Sequence, residues 1–231
     1  MTTTTLRPTG DGTYKQFPGI YPTSPTTHYD KVDEASQDGD LSFIGTTEES
    51  VAREDTFTKP DYTLPSGETI SKAILYICAR RVQGPPATAA VAARFELLFS
   101  GTPYITVNSF TNDTYVLFSH EYTSPPWDPG TAWEETDVDS MEFGVQGISA
   151  SQKIGGITYW NTVNVTQTYL EVLSSGAAAA KTAGDGLTFF TAQTRRLKSL
   201  WPPLHVRDLN GETRSTYNPR ARQNPNNWRR Y

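Results

Sequence analysis

Val91-Ala92-Ala93-Arg94-Phe95-Glu96-Leu97-Leu98-Phe99 is the segment of this chain with the clearest periodicity. Its odd-numbered residues are all apolar, whereas Arg94 and Glu96 place charges at even-numbered positions. Successive side chains of a β-strand point to opposite faces of its sheet, so a period of two predicts a strand with one buried face. We therefore start from a half-buried strand at this point of the chain.

Comparable β-rich segments recur from Leu41 to Leu173, separated by clusters of Gly, Pro, Asn and Asp that are typical of turns. The predicted strands are Leu41–Gly45, Val51–Thr58, Thr69–Arg80, Ala89–Phe99, Tyr104–Asn108, Thr114–Tyr122, Met141–Ile148 and Ile157–Leu173. Short strands at this spacing are typical of two-sheet sandwiches and barrels. We predict an all-β fold, a two-sheet antiparallel β-sandwich of the jelly-roll-like kind, with an extended C-terminal arm.

The apolar phase changes within the last of these strands. Val163 and Val165 share one parity, whereas Leu170 and Val172 have the other. One extra residue in a strand inverts the faces that follow it, so we predict a β-bulge near Gln167.

Two further segments carry local signals. Ala73–Cys78 is apolar at six successive positions, which predicts a strand covered on both faces, with the single cysteine, Cys78, as a buried apolar side chain. A short helical turn is predicted around Glu135–Met141, with Thr136 or Asp137 as its N-cap.

The composition agrees with a β fold and excludes several classes of protein. Threonine, which favours strands, accounts for 33 of the 231 residues. No run of about 18 apolar residues is present, so no transmembrane helix is expected. Met1 and the four threonines after it lack the basic and apolar regions of a secretory signal peptide.

The charge is divided between two parts of the chain. Residues 1–180 hold 22 acidic and 10 basic residues, net −12, whereas residues 181–231 hold 3 acidic and 10 basic residues, net +7. We predict an extended N-terminal segment 1–40 that leads into the sandwich 41–173, a Gly/Ala linker 174–186 and a basic arm 187–231.

The arm contains large apolar residues at intervals, with prolines that preclude a long helix. Aromatic and arginine side chains are enriched at protein interfaces, which favours binding to a protein over binding to nucleic acid. The predicted partner-binding residues are Phe189, Phe190, Arg195, Arg196, Leu200, Trp201, Tyr217, Trp228, Arg229, Arg230 and Tyr231. The acidic bodies of identical copies are one source of such a partner.

Acidic clusters in the body suggest two kinds of site, and ordinary structural roles explain both. Asp30, Asp33, Asp38 and Asp40, with Glu34 among them, supply oxygen ligands for calcium, although their order does not match an EF-hand loop. A second cluster offers carboxylates for glycoside hydrolysis and consists of Glu134, Glu135, Asp137, Asp139 and Glu142.

No enzyme is predicted, since no constellation of nucleophile, base and orienting group is visible. The three histidines are far apart, and neither a serine-hydrolase elbow nor a phosphate-binding loop is present. No cofactor is predicted.

Four aromatic residues are candidates for stacking on a sugar ring: Trp127, Trp133, Tyr159 and Trp160. β-Sandwich binding modules use such platforms, but packing in the core or at a sheet edge is the more common role of these side chains. A surface glycan is thus a further candidate partner.

Several short motifs follow one another in a familiar order between residues 6 and 173. They are Leu6–Gly12, His28–Glu34, Asp38–Asp40, Arg53–Phe57, the turn Pro65–Gly67, Trp133, Val138–Val145 and Val165–Val172. This series resembles jelly-roll-like β-sandwich proteins encoded in the structural modules of tailed bacteriophages and related viruses. The residues after Ser174 lie outside the resemblance.

The resemblance implies a non-enzymatic structural protein located in the virion. A capsid cement or decoration protein is expected first, with the major capsid protein or other virion proteins as partners and with contacts between identical copies. A neck, tail or baseplate component is the alternative within the particle. A carbohydrate-binding or receptor-binding module is the alternative outside that class.

Overall fold

The computed structural model describes residues 1–47, 50–84 and 88–176, and the backbone alone of residues 205–207 and 213–215. The chain divides into two units, Met1–Ala177 and Ala178–Tyr231. The strands are β1 (Thr2–Leu6), β2 (Gly10–Lys15), β3 (Gly19–Tyr21), β4 (Phe43–Gly45), β5 (Arg53–Thr58), β6 (Glu68–Gln83), β7 (Val91–Phe99), β8 (Thr102–Thr106), β9 (Ser109–Phe110), β10 (Val116–Tyr122), β11 (Glu142–Ile148), β12 (Ala150–Ile154), β13 (Ile157–Gly176), β14 (His205–Arg207) and β15 (Thr213–Ser215). A 3₁₀ turn, Tyr29–Lys31, and one helix, α1 (Glu135–Ser140), accompany them.

Two antiparallel sheets pack face to face in the first unit, which confirms the predicted β-sandwich. Sheet A has the order β10-β6-β13-β4-β3, and both β1 and β12 also pair with β13. Sheet B has the order β2-β5-β11-β7-β8, and β9 pairs with β7. In the second unit, β14 and β15 pair antiparallel.

The longest strands, β6 and β13, pair along most of their length from Asn161 opposite Gln83 to Gly176 opposite Glu68. Their register shifts between Val165 and Gln167, which confirms the predicted bulge. Thr166 is the extra residue, and its buried hydroxyl donates to Asp38 Oδ1 at 2.8 Å. The bulge turns the valines before it and the apolar residues after it towards the same core.

The core lies between the sheets and is built from the inward face of each main strand. It contains side chains from residues 6 to 172, among them Leu75, Phe95, Phe143 and Leu170. Burial of this apolar surface is the main stabilising contribution to the sandwich.

All eight predicted strands are present, with ends that differ by a few residues from the predicted ones. The first 40 residues, predicted as a segment leading into the sandwich, contribute β1, β2 and β3 to its sheets. Residues 177–204, which include most of the predicted linker and the start of the arm, lie outside the described residues.

Burial differs from the prediction on β7. The sequence predicts one buried face, but Ala92, Glu96 and Leu98 on the opposite face are also buried. Cys78 is buried as predicted, and its thiol lies 3.4 Å from Gln37 Oε1. Burial raises the pKa of this thiol to about 11.

Helix α1 forms where a helical turn was predicted, but its N-cap is Glu134 instead of Thr136 or Asp137. The Glu134 side chain accepts from the backbone of Asp137, and the Asp137 carboxylate accepts from the Glu134 N–H at 2.9 Å. This reciprocal pair is a capping box, which a glutamate forms here in place of serine or threonine. Neither α1 nor the 3₁₀ turn, the helical segments of the described residues, could span a bilayer.

Candidate functional site

An open pocket of about 310 Å³ lies beside the end of β7 and the start of α1. We call it the Trp127 pocket. It is lined by Phe99, Trp127, Asp128, Thr131, Ala132, Glu134 and Asp137.

The half-buried ring of Trp127 is held by aromatic neighbours. It stacks on Phe99, with ring centroids 4.2 Å apart and an angle of 5° between the planes. Tyr104 and Trp133 contact it edge-on at 5.8 and 5.5 Å. Because these contacts come from β7, β8 and the segment before α1, the indole has a fixed position at the pocket wall.

Polar groups complete the wall. Trp127 Nε1 donates to Asp137 Oδ1 at 3.3 Å, so the helix cap and the indole are tied together. Within the part of the chain that the structure describes, the carboxylates of Asp128, Glu134 and Asp137 form no salt bridge. An aromatic ring beside carboxylates can bind a sugar, whose hydroxyl groups donate to carboxylate oxygens while its C–H face stacks on the ring.

The structure does not bring the four predicted sugar-stacking residues together. Trp133 is only 4% exposed, and its Nε1 donates to the Tyr122 carbonyl at 3.0 Å, so it is a core residue. Tyr159 and Trp160 lie on β13, away from the lining of the Trp127 pocket. Of the four, Trp127 is the one that lines the Trp127 pocket.

Three of the predicted calcium ligands lie against donor groups of the protein. Asp38 accepts from Ser42 and Thr166, and Asp40 pairs with Arg80 at 2.7 Å. Asp30 lies 3.3 Å from the buried ammonium of Lys31. Among the described residues, no three His, Cys, Asp or Glu side chains are placed to hold a metal ion.

Asp33 and Glu34 belong to the same acidic segment, residues 30–40. Burial raises the pKa of both carboxyl groups. Glu34 Oε1 lies 2.6 Å from the Ser42 hydroxyl, whose single proton it shares with Asp38. The 30–40 segment is thereby tied to Ser42, the residue before β4, and to β13.

The second acidic cluster also fixes the backbone. Glu135 accepts from the Leu64 N–H, and Asp139 accepts from the Tyr62 N–H at 2.7 Å. Glu142 accepts from the N–H and hydroxyl of Thr13. These carboxylates, proposed for glycoside hydrolysis on sequence alone, hold the loop between β5 and β6 and strand β2 in place.

Two buried acidic groups were not singled out by sequence reasoning. The first is Asp55, fully buried on β5, whose carboxylate lies 2.5 Å from His28 Nδ1 and also accepts from the backbone of Gln16 and Phe17. Burial raises the pKa of Asp55, and these hydrogen bonds oppose the rise. Charged residues in a strand are usually exposed, so the sequence gives no signal for this pair.

The second is Glu96 on β7, which is fully buried and whose two carboxylate oxygens have no hydrogen-bond partner among the residues that the structure describes. Burial, followed by the nearby carboxylates of Glu54, Asp55 and Glu142, raises the pKa of Glu96 to about 8. The group is therefore mostly protonated at neutral pH.

All eleven predicted partner-binding residues lie outside the residues that the structure describes. They are Phe189, Phe190, Arg195, Arg196, Leu200, Trp201, Tyr217, Trp228, Arg229, Arg230 and Tyr231.

Comparison with known proteins adds little to this geometry. No protein-family model and no curated protein matches the sequence. One solved structure that is similar to this chain is titled "Family 16 Carbohydrate Binding Module-2". The two are 13% identical over 60% of this chain and 82% of that chain, with a TM-score of 0.27. A likeness at this level carries no functional argument.

Proposed function

We propose that this protein is a non-enzymatic structural protein of a virus particle, located in the virion as a capsid cement or decoration protein. The observation that carries the proposal is the division of the chain near residue 177, which falls close to the change from acidic to basic sequence. An acidic sandwich followed by a basic, aromatic-containing segment suits a protein that rests on one subunit and binds the next one. The motif order between residues 6 and 173 supports the same class.

In this proposal the protein binds its partners by non-covalent association and catalyses no reaction. Each Phe or Trp of the segment 187–231 that is buried on the major capsid protein or on another copy would contribute about 1.5–3 kcal/mol. The cost of ordering the segment offsets part of this gain. Repetition over many copies on one shell then makes attachment long-lived.

The first test is the location and abundance of the protein in purified particles, measured by quantitative mass spectrometry. A cement protein is present in numbers comparable to those of the major capsid protein. A small fixed number per particle would instead assign it to the neck, tail or baseplate. Absence from the particle would contradict the virion proposal.

The second test addresses the arm. The full chain with Arg229→Glu and Arg230→Glu should bind stripped shells much more weakly than the unaltered chain, because both changes reverse a charge. Arg229→Lys with Arg230→Lys is the matched control, since it keeps the charge. Equal binding of all three chains, together with undiminished binding after removal of residues 187–231, would contradict binding through this segment.

A second candidate function, glycan or receptor binding, is supported by the Trp127 pocket. Trp127→Ala should abolish binding to a glycan array, because it removes the tryptophan ring that lines the pocket and also the stacking partner of Phe99. Trp160→Ala is the control, since it also removes a half-buried tryptophan but lies away from the pocket. The candidate fails if the unaltered protein binds no glycan on the array or if both variants bind as it does.

A further inference from the structure

Strand β1 has one edge paired and one edge open. It pairs with β13 from Thr2 opposite Ser174 to Leu6 opposite Leu170. Among the described residues, no backbone group pairs with its other edge. Thr2, Thr3 and Thr5 are exposed, and Thr4 is half-buried. In an antiparallel pair, alternate residues direct their N–H and C=O groups away from the partner strand, so this edge presents unpaired donors and acceptors.

The other edge strands of five or more residues carry features that discourage pairing. Strand β10 bears Glu121, β12 bears Lys153 and β8 contains Pro103. Strand β2 carries Asp11 and Lys15 and has an irregular register. Charges, proline and irregular register are the devices that keep sheet edges from associating.

Strand β1 has none of these devices. Its sequence is four threonines and one leucine, with no charge, proline or glycine. Threonine has a high strand propensity, and facing threonines interact favourably across paired strands. Among these edges, β1 is the one best suited to accept another strand.

The charge distribution leaves the β1 edge as a surface where two copies can meet. Residues 1–180 carry a net charge of −12, which opposes the approach of two copies over most of their surface. The β1 edge carries no ionisable side chain, so two copies can meet there without direct repulsion. Two identical antiparallel strands are also self-complementary about a two-fold axis.

We propose that the open edge of β1 is a self-association surface, on which a second copy of this chain pairs its own β1 antiparallel and extends sheet A across a two-fold axis. The pairing that uses all five residues is centred on Thr4. It places Thr3 of one copy directly opposite Thr5 of the other on the outer face of the sheet. The inference does not depend on the proposed function.

The register provides a sharp test with two full-length variants that differ at one position. Thr3→Lys with Thr5→Lys places like charges opposite each other across the axis. Thr3→Glu with Thr5→Lys places opposite charges there, and the lysine at position 5 also faces Glu171 within its own copy. Sedimentation velocity over a concentration series at low salt measures the dimer dissociation constant of each.

We expect the unaltered chain to show a concentration-dependent dimer. The like-charged variant should dimerise about tenfold or more weakly than the opposite-charged variant, because two facing pairs change sign in each dimer. A chain that stays monomeric up to about 1 mM would overturn the proposal. A dimer of equal strength in both variants would overturn it too, since the contact would then lie elsewhere.

Amide hydrogen exchange supplies an independent readout on the same samples. The outward N–H groups of Thr2–Leu6 should exchange rapidly in dilute protein and gain protection as the concentration rises. Protection of this strand that does not change with concentration would count against the pairing, even if a dimer forms. Matching melting temperatures of the two variants show that neither alters the fold.

Discussion

Glu96 shows how one side chain can make the sandwich sensitive to pH. It is fully buried opposite Gly144 of β11, and no described residue forms a hydrogen bond with its carboxyl group. Its pKa in the folded protein is about 8, compared with an ordinary value of 4.5. The folded state therefore holds the proton more tightly than the unfolded state, so stability decreases as the pH rises between these two values.

Glu96→Gln tests this directly. The unaltered protein should lose about 3 kcal/mol of unfolding free energy between pH 4.5 and pH 7 through this group. The variant cannot ionise at this position, so its stability should change much less over that interval. Urea denaturation at several pH values measures both, and Glu121→Gln on exposed β10 is the control. Identical pH profiles for the Glu96→Gln variant and the unaltered protein would refute the assignment.

The contact between His28 and Asp55 makes a second prediction at the scale of single residues. His28→Ala removes the side-chain partner of a fully buried carboxylate, and breaking a buried pair of this kind costs about 3 kcal/mol. Adding Asp55→Asn removes the uncompensated charge, so the double variant should recover part of the loss. Equilibrium denaturation of both single variants, His28→Ala and Asp55→Asn, and of the double variant measures the coupling energy. Independent, additive losses of stability would contradict the prediction.

The bulge at Thr166 is the element on which the register of sheet A depends. Because side chains alternate along a strand, removing one residue there moves either the valines before it or the apolar residues after it to the outer face. Deletion of Thr166 should therefore abolish the cooperative thermal transition followed by circular dichroism. Thr166→Ser is the control, since it keeps the residue count and the hydroxyl that contacts Asp38 and the Ser42 carbonyl. A deletion variant that melts like the control would show that the register can be restored elsewhere.

Helix α1 helps to shape the candidate glycan site. Its capping box places Asp137, which also accepts from the Trp127 indole. The wall of the Trp127 pocket thus depends on a six-residue helix whose own stability comes from its cap and from buried Val138. The same carboxylates that the sequence offers for catalysis are used to fix this geometry.

For the whole molecule, the core predicts an autonomous sandwich. Among the residues that the structure describes, the buried apolar cluster runs from Leu6 to Val172, and Met1–Ala177 forms a unit of its own. A chain that ends at Ala177 should therefore keep a cooperative transition, with an unfolding free energy within about 1 kcal/mol of that of the full chain. Calorimetry on both chains measures this. Loss of the transition would show that the sandwich needs residues 178–231.

The alternation in Val91–Phe99 and the parity change after Val165 were enough to predict β7 and the bulge, and the spacing of the eight short strands was enough to predict the sandwich. They sufficed because side-chain direction in a strand follows from the backbone alone. The buried cysteine and a helical turn near Glu135 were likewise predicted from local sequence. The Thr2–Leu6 strand was not predicted, since a run of threonines has no alternation and becomes a strand by pairing with β13.

The sequence by itself determined the all-β class, the main strands and the division of charge along the chain. Only the tertiary structure decided that Trp133 is a core residue while Trp127 lines a pocket, that Asp55 and Glu96 are buried, and that the 30–40 carboxylates bind protein donors. The physical reason is that periodicity reports the direction of a side chain relative to its own strand. Burial, pKa and pocket formation depend on residues from distant strands that pack against it.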